Sequence, residues 1–426
     1  MLYAGRTAWR TGITVLGILV ATITRAEEAS ERKDVGGQVY TFADDLVGGA
    51  SAVTVDVMGN VYVANFAESV YKIRPDGRTE VFASGLYGTT GNAVDARGNL
   101  YQASFFGDYI TKIDRRGNQK IVADGLAGPM ALAFGEDGDL FVSNCSSQTI
   151  AKVTPDGAVS TFAEGPLFNC PNGITRALDG NFYVVNFDDE SLLKITPKGE
   201  VTHFATLPYG RNTIASARGH LYVASLHRRI YRISLMTGEV IHLAGTGERE
   251  TRDGPALQAS FSRPNGIAAT ADGGRLYVSN IISTKSVPGA PFQEPSGLRV
   301  RLITLPSLTD RLTDASHGGE ELDLDALAEA YHALRKDPAA AALLDEAEMT
   351  AFAREIQRGS PETAIKVLEL NAESYPDSWQ VYDALAEAHA KVGHRDRAIA
   401  FYEKSLAINS KNSNATQKLE DLRDGS

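Results

Sequence analysis

Between residues 38 and 305 the apolar positions fall into short runs that recur six times, each after a glycine-bearing turn. The runs read VYVAN (Val61–Asn65), LYQAS (Leu100–Ser104), LFVSN (Leu140–Asn144), FYVVN (Phe182–Asn186), LYVAS (Leu221–Ser225) and LYVSN (Leu276–Asn280). Turns such as Gly59-Asn60, Gly98-Asn99 and Asp179-Gly180 precede them, which suits tight hairpins. The run after each reads VYKI, ITKI, IAKV, LLKI, IYRI or VRLI. Its alternation predicts a strand with one wet face. A further run follows the first five units: TEVFA, QKIVA, VSTFA, VTHFA and VIHLA. None follows Leu302-Ile303-Thr304-Leu305, and the missing copy stands ahead of the first unit as Gln38-Val39-Tyr40-Thr41-Phe42-Ala43. The period of about 40 residues is that of a four-stranded propeller blade, which needs a neighbour on each side. The pattern predicts a mainly β fold: a six-bladed β-propeller over residues 38–305, closed by its N-terminal strand.

The pattern changes after Asp314, where Ala, Leu and Glu replace glycine and strand signals. A linker is predicted over 306–320 and a small α-helical module over 321–426. Helical spacing runs through Leu324–Leu334, then Trp379–His389, then Arg397–Leu406 after Gly393. The last two segments resemble one tetratricopeptide repeat, and Glu362–Leu370 resembles a weaker copy of its second half. With the phrase NAESYPDS (Asn371–Ser378), the tail resembles appendages of many exported bacterial hydrolases. Such a module packs on itself, on the propeller or on another subunit, and its groove is a candidate surface for a protein partner.

Composition narrows the function classes. The net charge of −11 argues against a nucleic-acid partner. From Thr313 onward there are 22 acidic and 12 basic residues, so the tail holds nearly all of that excess. Residues 1–26 read as an export signal, with Arg6 and Arg10 ahead of the apolar run Ile13–Ile23 and small residues at Thr24 and Ala26. A retained anchor helix is the alternative reading. With the signal removed, no membrane association is expected, and the predicted location is periplasmic or secreted. The two cysteines, Cys145 and Cys170, fall after the second strand of blade three and before blade four. Adjacent blades bring them to one face, so a disulfide is expected, with two free thiols as the alternative.

The phrases CPNGIT (Cys170–Thr175) and RPNGIAAT (Arg263–Thr270), with the stretch Ala244–Phe261 leading into Pro264-Asn265-Gly266-Ile267, look like NHL-type repeats. Residues 38–305 resemble the NHL and gluconolactonase-like six-bladed propellers, a group that includes paraoxonase-like and strictosidine-synthase-like enzymes. This architecture hosts hydrolases, lyases and plain binding scaffolds. In gluconolactonase-like enzymes a divalent metal is held by a Glu opening blade one, an Asn in a PNG phrase in blade four and an Asp opening blade five. Here Asn172 matches the second of these, whereas Ser51 and Asn212 stand where the carboxylates are expected.

Candidate site residues follow from propeller topology. First-strand starts supply Ser51, Thr90, Met130, Asn172, Asn212 and Asn265. Second-strand ends supply Asn65, Ser104, Asn144, Asn186, Ser225 and Asn280. We take Asn172, Asn212 and Asn265 as candidate ligands for a divalent cation, calcium being the natural guest of neutral oxygens. Asn65, Asn144, Asn186 and Asn280 are candidates for binding a small-molecule substrate, although Asn and Ser also cap strand ends in any β protein. Asp188 and His227 are candidate acid/base groups, and a solvated loop accounts for them equally. Two insertions, Glu248–Ser260 and Ser283–Gly297, are expected on the same face, as covers for the site or as tolerated additions. The expected function is a metal-assisted hydrolase or lyase acting on a small ester or lactone, with a non-catalytic binding propeller as the alternative.

Overall fold

In a computed structural model of the chain, the described residues are 37–271, 273–282, 297–305, 324–336 and 344–424. The expected signal (1–26), the linker (306–320) and nearly all of the second insertion lie outside them. Six antiparallel sheets follow one another along the chain, five with four strands and one with five. The hairpin turns work as their residues dictate. In the first blade the Asp56 side chain accepts the amides of Met58 and Asn60, and Gly59 takes φ +78°, a conformation open to glycine.

Blade six is assembled from both ends of the propeller segment. Gln38–Val47 pairs antiparallel with Gly297–Thr304, from Gln38 opposite Thr304 to Val47 opposite Gly297. This is the expected closure. The insertion 248–260 adds a fifth strand, Gly254–Pro255, outside Gln38 and Val39. It is fastened by the wholly buried Arg301, which donates to the Ser260 and Arg252 carbonyls and pairs with Asp253 at 2.7 Å. This insertion therefore extends the edge of blade six; it is not free to close over a site as a lid.

Six apolar cores lie between the blades, one at each junction. Between blades four and five, for example, Tyr183, Val185 and Leu192 meet Ile214, Leu221 and Val223. The closing core between blades six and one contains Ala43 and Leu46 from the N-terminal strand, packed with Val53, Val61, Leu298 and Val300. Because both faces of a blade are covered, the third strands have no wet face, contrary to the expectation from their alternation. Lys72, Lys112 and Lys194 lie half-buried with their ammonium groups 5.5, 5.1 and 6.0 Å from the ring centres of Tyr62, Tyr101 and Tyr183. The outermost strands are the wet ones: Thr79–Val81, Gln119–Ile121 and Val159–Thr161 are exposed in succession, and burial returns at Ala83, Ala123 and Ala163.

Six helices follow among the described residues: α1 (Leu324–Lys336), α2 (Glu346–Ile356), α3 (Pro361–Ser374), α4 (Trp379–Lys391), α5 (Arg395–Ile408) and α6 (Ser413–Asp424). Val381, Leu385 and Ala388 of α4 pack with Ile365 and Leu368 of α3 in one core. Helix α2 docks on the propeller at blade five. In blades two, three and four the third-strand lysine pairs with an aspartate near its own first hairpin turn: Lys112 with Asp95, Lys152 with Asp139, Lys194 with Asp179, at 4.0, 2.6 and 3.5 Å. The corresponding turn of blade five carries Arg218 and His220. Its carboxylates come from the helical module. Asp345, which caps α2, sits 2.8 Å from His220 and 3.5 Å from Arg232, and Glu348 sits 3.0 Å from Arg218. Gly219 makes this approach possible, since a Cβ there would stand 2.8 Å from the Ala347 carbonyl oxygen.

Candidate functional site

First strands run down the axis and second strands return beside them. We call the face where first strands begin the upper face. In blades three, four and six, as in blade two between Thr89 and Asn92, the ladder slips at the start of the first strand. Pro171 pairs with Asn186 and Gly173 with Val185; Pro264 pairs with Asn280 and Gly266 with Ser279; Pro129 pairs with Asn144 and Ala131 with Ser143. The extra residue of each of these three bulges, Asn172, Asn265 or Met130, is re-aimed at the axis. The Asn-Gly pairs are therefore strand bulges, not turns. Blade five has no slip: Asn212 pairs with Ser225 and Thr213 with Ala224. By pairing, Asn212 is the counterpart of Pro171, not of Asn172. Thr213 lines the channel in its place, and Asn212 donates its Nδ2 to the Tyr209 carbonyl.

The axial channel encloses ≈ 230 Å³ and is lined by neutral residues only, with Ser51, Thr90, Asn92, Asn172, Thr213 and Asn265 its main polar contributors. Several of these polar groups fasten one blade to the next. Asn172 Nδ2 donates to the Asn212 carbonyl (2.7 Å), Asn265 Nδ2 to the Ala50 carbonyl (2.6 Å) and Thr90 Oγ1 to the Pro129 carbonyl (2.7 Å). Two channel groups meet no protein partner among the described residues: both polar atoms of Asn92, which is 8% exposed, and the Thr213 hydroxyl. A buried amide of this kind takes its hydrogen bonds from a channel guest or water.

The second-strand amides lie one strand out from this channel and do not line it. Asn65 Oδ1 accepts the amides of Ala67 and Ser69; Asn280 Oδ1 accepts the Arg263 amide; Asn186 Nδ2 donates to the Leu167 carbonyl and to Asp189. They organise loops. Asn144 is buried with its Oδ1 unpartnered, also away from the channel.

Around the mouth, the loops after blades four and five are stitched together. The Arg211 amide donates to the Phe187 carbonyl and the Leu226 amide to the Arg211 carbonyl. This brings the exposed Asp188 and His227 onto one rim, though neither lines the channel. His227 stacks on Tyr209, ring centres 4.5 Å apart. Asp189 is the structural member of the acidic loop. Burial works against its charge, but hydrogen bonds from Ser191, Asn186 and Asn169 prevail and hold its carboxyl below the usual range. The disulfide Cys145–Cys170 pins the rim between blades three and four, as expected, with Cα atoms 4.0 Å apart. Over blades one and two the rim is aromatic: exposed Phe66, Tyr87 and Phe106 gather with ring centres 6.3 and 5.6 Å apart around Phe106.

The virginiamycin B lyase family model matches residues 14–284, well over half of the chain. The chain belongs to the virginiamycin B lyase family. A tetratricopeptide repeat model matches residues 381–416, which span α4 and α5 and enter α6. Among solved structures, a Bacteroides thetaiotaomicron protein of unknown function is similar at 16% identity and TM-score 0.52, over 63% of this chain and 76% of that one. A gluconolactonase from Xanthomonas campestris is similar at 16% identity and TM-score 0.50, over 65% and 93%. A streptogramin B lyase matches at 18% identity and TM-score 0.48, over 65% and 100%. At these identities the likeness is one of fold. No curated protein matches the chain.

In this member of the virginiamycin B lyase family the channel suits a tightly held divalent cation poorly. Calcium takes about 6–8 oxygens and gains affinity from carboxylate charge. The lining offers the amide oxygens of Asn92, Asn172 and Asn265 and no carboxylate, and Asn212 is not part of it. Among the described residues no three His, Cys, Asp or Glu side chains converge as a metal site. Sequence reasoning also missed Asn92 and Thr213. Asn92 was legible only as a polar residue of a first strand, because the ladder slips between Thr89 and Asn92 and breaks the simple alternation. Thr213 was not, because only the observed register shows that blade five lacks the bulge.

Proposed function

We propose that this propeller is an exported lyase or hydrolase whose substrate is a small ester- or lactone-like molecule seated on the upper face, over the channel mouth. Membership of the virginiamycin B lyase family and kinship in fold with a gluconolactonase support the reaction class. The disulfide supports export, since such bonds persist in oxidising compartments. The observation that carries the reading is the geometry of the mouth. A channel of ≈ 230 Å³ is smaller than the about 300–1,000 Å³ of a typical small-molecule pocket, so a ligand's body must rest on the rim. There it meets the aromatic ledge of Phe66, Tyr87 and Phe106 on one side and His227 on the other, with Asn92 and Thr213 ready for a polar limb in the channel.

Either reaction needs a proton acceptor. In elimination the base takes a proton from carbon, a carbon–carbon double bond forms and the carboxylate leaves. In hydrolysis the base takes a proton from water, the oxygen adds to the carbonyl and the alcohol leaves with a proton. An imidazole can both take up and return a proton and suits both reactions, so we assign the proton to His227, with Asp188 on the same rim as the second candidate. No step runs through a metal.

The test is incubation of the purified chain with a panel of cyclic and linear esters, followed by mass spectrometry. Hydrolysis adds the mass of water, whereas elimination opens a ring with no change of mass. Turnover should fall at least about 100-fold in His227→Ala. Turnover equal in His227→Ala and the wild type would sink the assignment. The neutral channel lining favours a second reading, a propeller that binds such molecules without converting them. Saturable binding with no product across the panel would select it.

A further inference from the structure

On the upper face, the junction of blades five and six gathers cations that, among the described residues, have no matching anions. Arg228 follows the second strand of blade five in a left-handed turn (φ +69°) and reaches across to blade six, where its Nε donates to the Ser262 carbonyl at 3.1 Å. The next residue is Arg263, whose side chain is exposed. Arg249 approaches from the insertion. Gly247, two residues before it, lies against the Arg229 guanidinium, which donates to the Thr246 carbonyl at 3.2 Å. The nearby acids of this loop are engaged elsewhere: Glu248 and Glu250 with Arg252, Asp253 with Arg301. Among the described residues Arg228, Arg249 and Arg263 form no salt bridge. Burial, together with the charges of Arg249 and Arg263, pulls Arg228 below the usual arginine range, as crowded like charges require.

This cluster borders the mouth. Asn265, two residues after Arg263, lines the channel, and His227 immediately precedes Arg228. Like charges brought together repel one another, here around Arg228, which a backbone carbonyl holds in place, and the arrangement gains stability when an anion arrives. Guanidinium forks match the paired oxygens of carboxylate, phosphate and sulfate groups. We propose that Arg228, Arg249 and Arg263 form an oxyanion-binding site that receives a carboxylate, phosphate or sulfate group of the molecule held at the mouth. The proposal rests on the upper face being the ligand site and narrows the ligand to an amphipathic anion, its apolar part directed to the aromatic ledge across the mouth.

The test is isothermal titration of the full chain with sodium phosphate, sulfate and acetate at fixed ionic strength, with chloride as the reference anion. Saturable binding is expected for at least one oxyanion, and the strongest of the three identifies the group. Affinity should fall about tenfold in Arg263→Ala and in Arg228→Ala, the loss of one charge-assisted contact each. Arg97→Ala, in a turn on the opposite face, should leave it unchanged. Arg263 is exposed, so its variant remains informative if Arg228→Ala misfolds. Oxyanion binding no stronger than chloride, or equal affinity in the wild type and Arg263→Ala, overturns the site. The two readings fail separately. Oxyanion binding without ester turnover leaves the site standing and removes the reaction, whereas turnover of neutral esters without oxyanion binding does the reverse.

Discussion

Gly266 shows how closely the first strands converge on the axis. A Cβ at this position would lie 2.5 Å from the Ser51 carbonyl oxygen and 2.9 Å from the Val53 amide nitrogen, both backbone atoms that cannot swing away. Gly91 and Gly173 meet the backbone of the next blade in the same way, at 2.3 and 2.8 Å. The glycine of each PNG phrase is therefore a packing requirement at a blade junction. Gly266→Ala should cost about 1–3 kcal/mol in urea unfolding, the usual range for overpacking. Gly297→Ala is the control. Its nearest contact would be 3.6 Å, an ordinary separation, and its stability should change little. Equal stability of the two variants would contradict this account. The same scale decides the question of a metal. With three amide oxygens and no carboxylate in the channel, the thermal midpoint should be the same in calcium and in EDTA. A calcium-dependent rise lost in Asn172→Ala would show that the neutral donors suffice.

At the scale of elements, the docking of the helical module depends on buried charge. His220 is 1% exposed, and burial alone would lower its pKa; Asp345 and Glu348 outweigh that and raise it above 6.5. Asp345 is subject to an opposing burial effect, yet His220 and Arg232 pull it down to about 2, and Glu348 is lowered in the same manner. The signs set a window. The raised His220 contributes stability fully present below its unfolded value and lost as pH climbs through its folded one. The lowered carboxylates contribute stability present above their unfolded values of 3.8 and 4.5 and lost as pH falls toward about 2. Urea stability should thus be greatest near about pH 5–6 and decline toward pH 9. Asp345→Ala removes the nearest counter-charge of the buried His220 and should cost about 3 kcal/mol, the lower end for breaking a buried pair because Glu348 remains. It should also flatten the alkaline decline. A wild-type profile flat from about pH 6 to 9 would exclude the device.

This element also shows what the sequence could and could not reveal. The six blades were legible because each strand run repeats and its turn residues repeat with it. The module's docking place was not. It depends on the turn at Arg218 and His220 lacking the aspartate found in blades two to four, and nothing local marks Asp345 as its replacement. Likewise the bulges that aim Asn172 and Asn265 inward, and the missing bulge that removes Asn212, are properties of strand pairing across neighbours. The candidate amides at second-strand ends failed for the same reason: a chemistry-bearing residue near the mouth can face a loop as readily as the axis.

For the whole molecule, closure is the step on which the other junctions depend. Four junction cores can form without the N-terminal strand, but the one between blades five and six includes Val39 and the closing one between blades six and one includes Ala43 and Leu46, so both need that strand to return beside Gly297–Thr304. Burying Val39 and Leu46 contributes about 3–6 kcal/mol, before the strand's hydrogen-bond ladder is counted. That rivals the about 5–15 kcal/mol by which a folded domain is stable. A chain beginning at Gly48 should therefore lose cooperative unfolding and expose Gly297–Thr304 as an open edge, prone to pairing with a second copy. Added in trans, a peptide of residues 37–47 should restore solubility and the thermal midpoint, because it supplies both the ladder and the missing apolar side chains. A peptide with Val39→Asp and Leu46→Asp keeps the backbone partners but cannot fill the junctions, and should fail to rescue. Rescue by both peptides would mean that the ladder alone closes the ring, and that the apolar junction between blades six and one contributes little to holding the channel together.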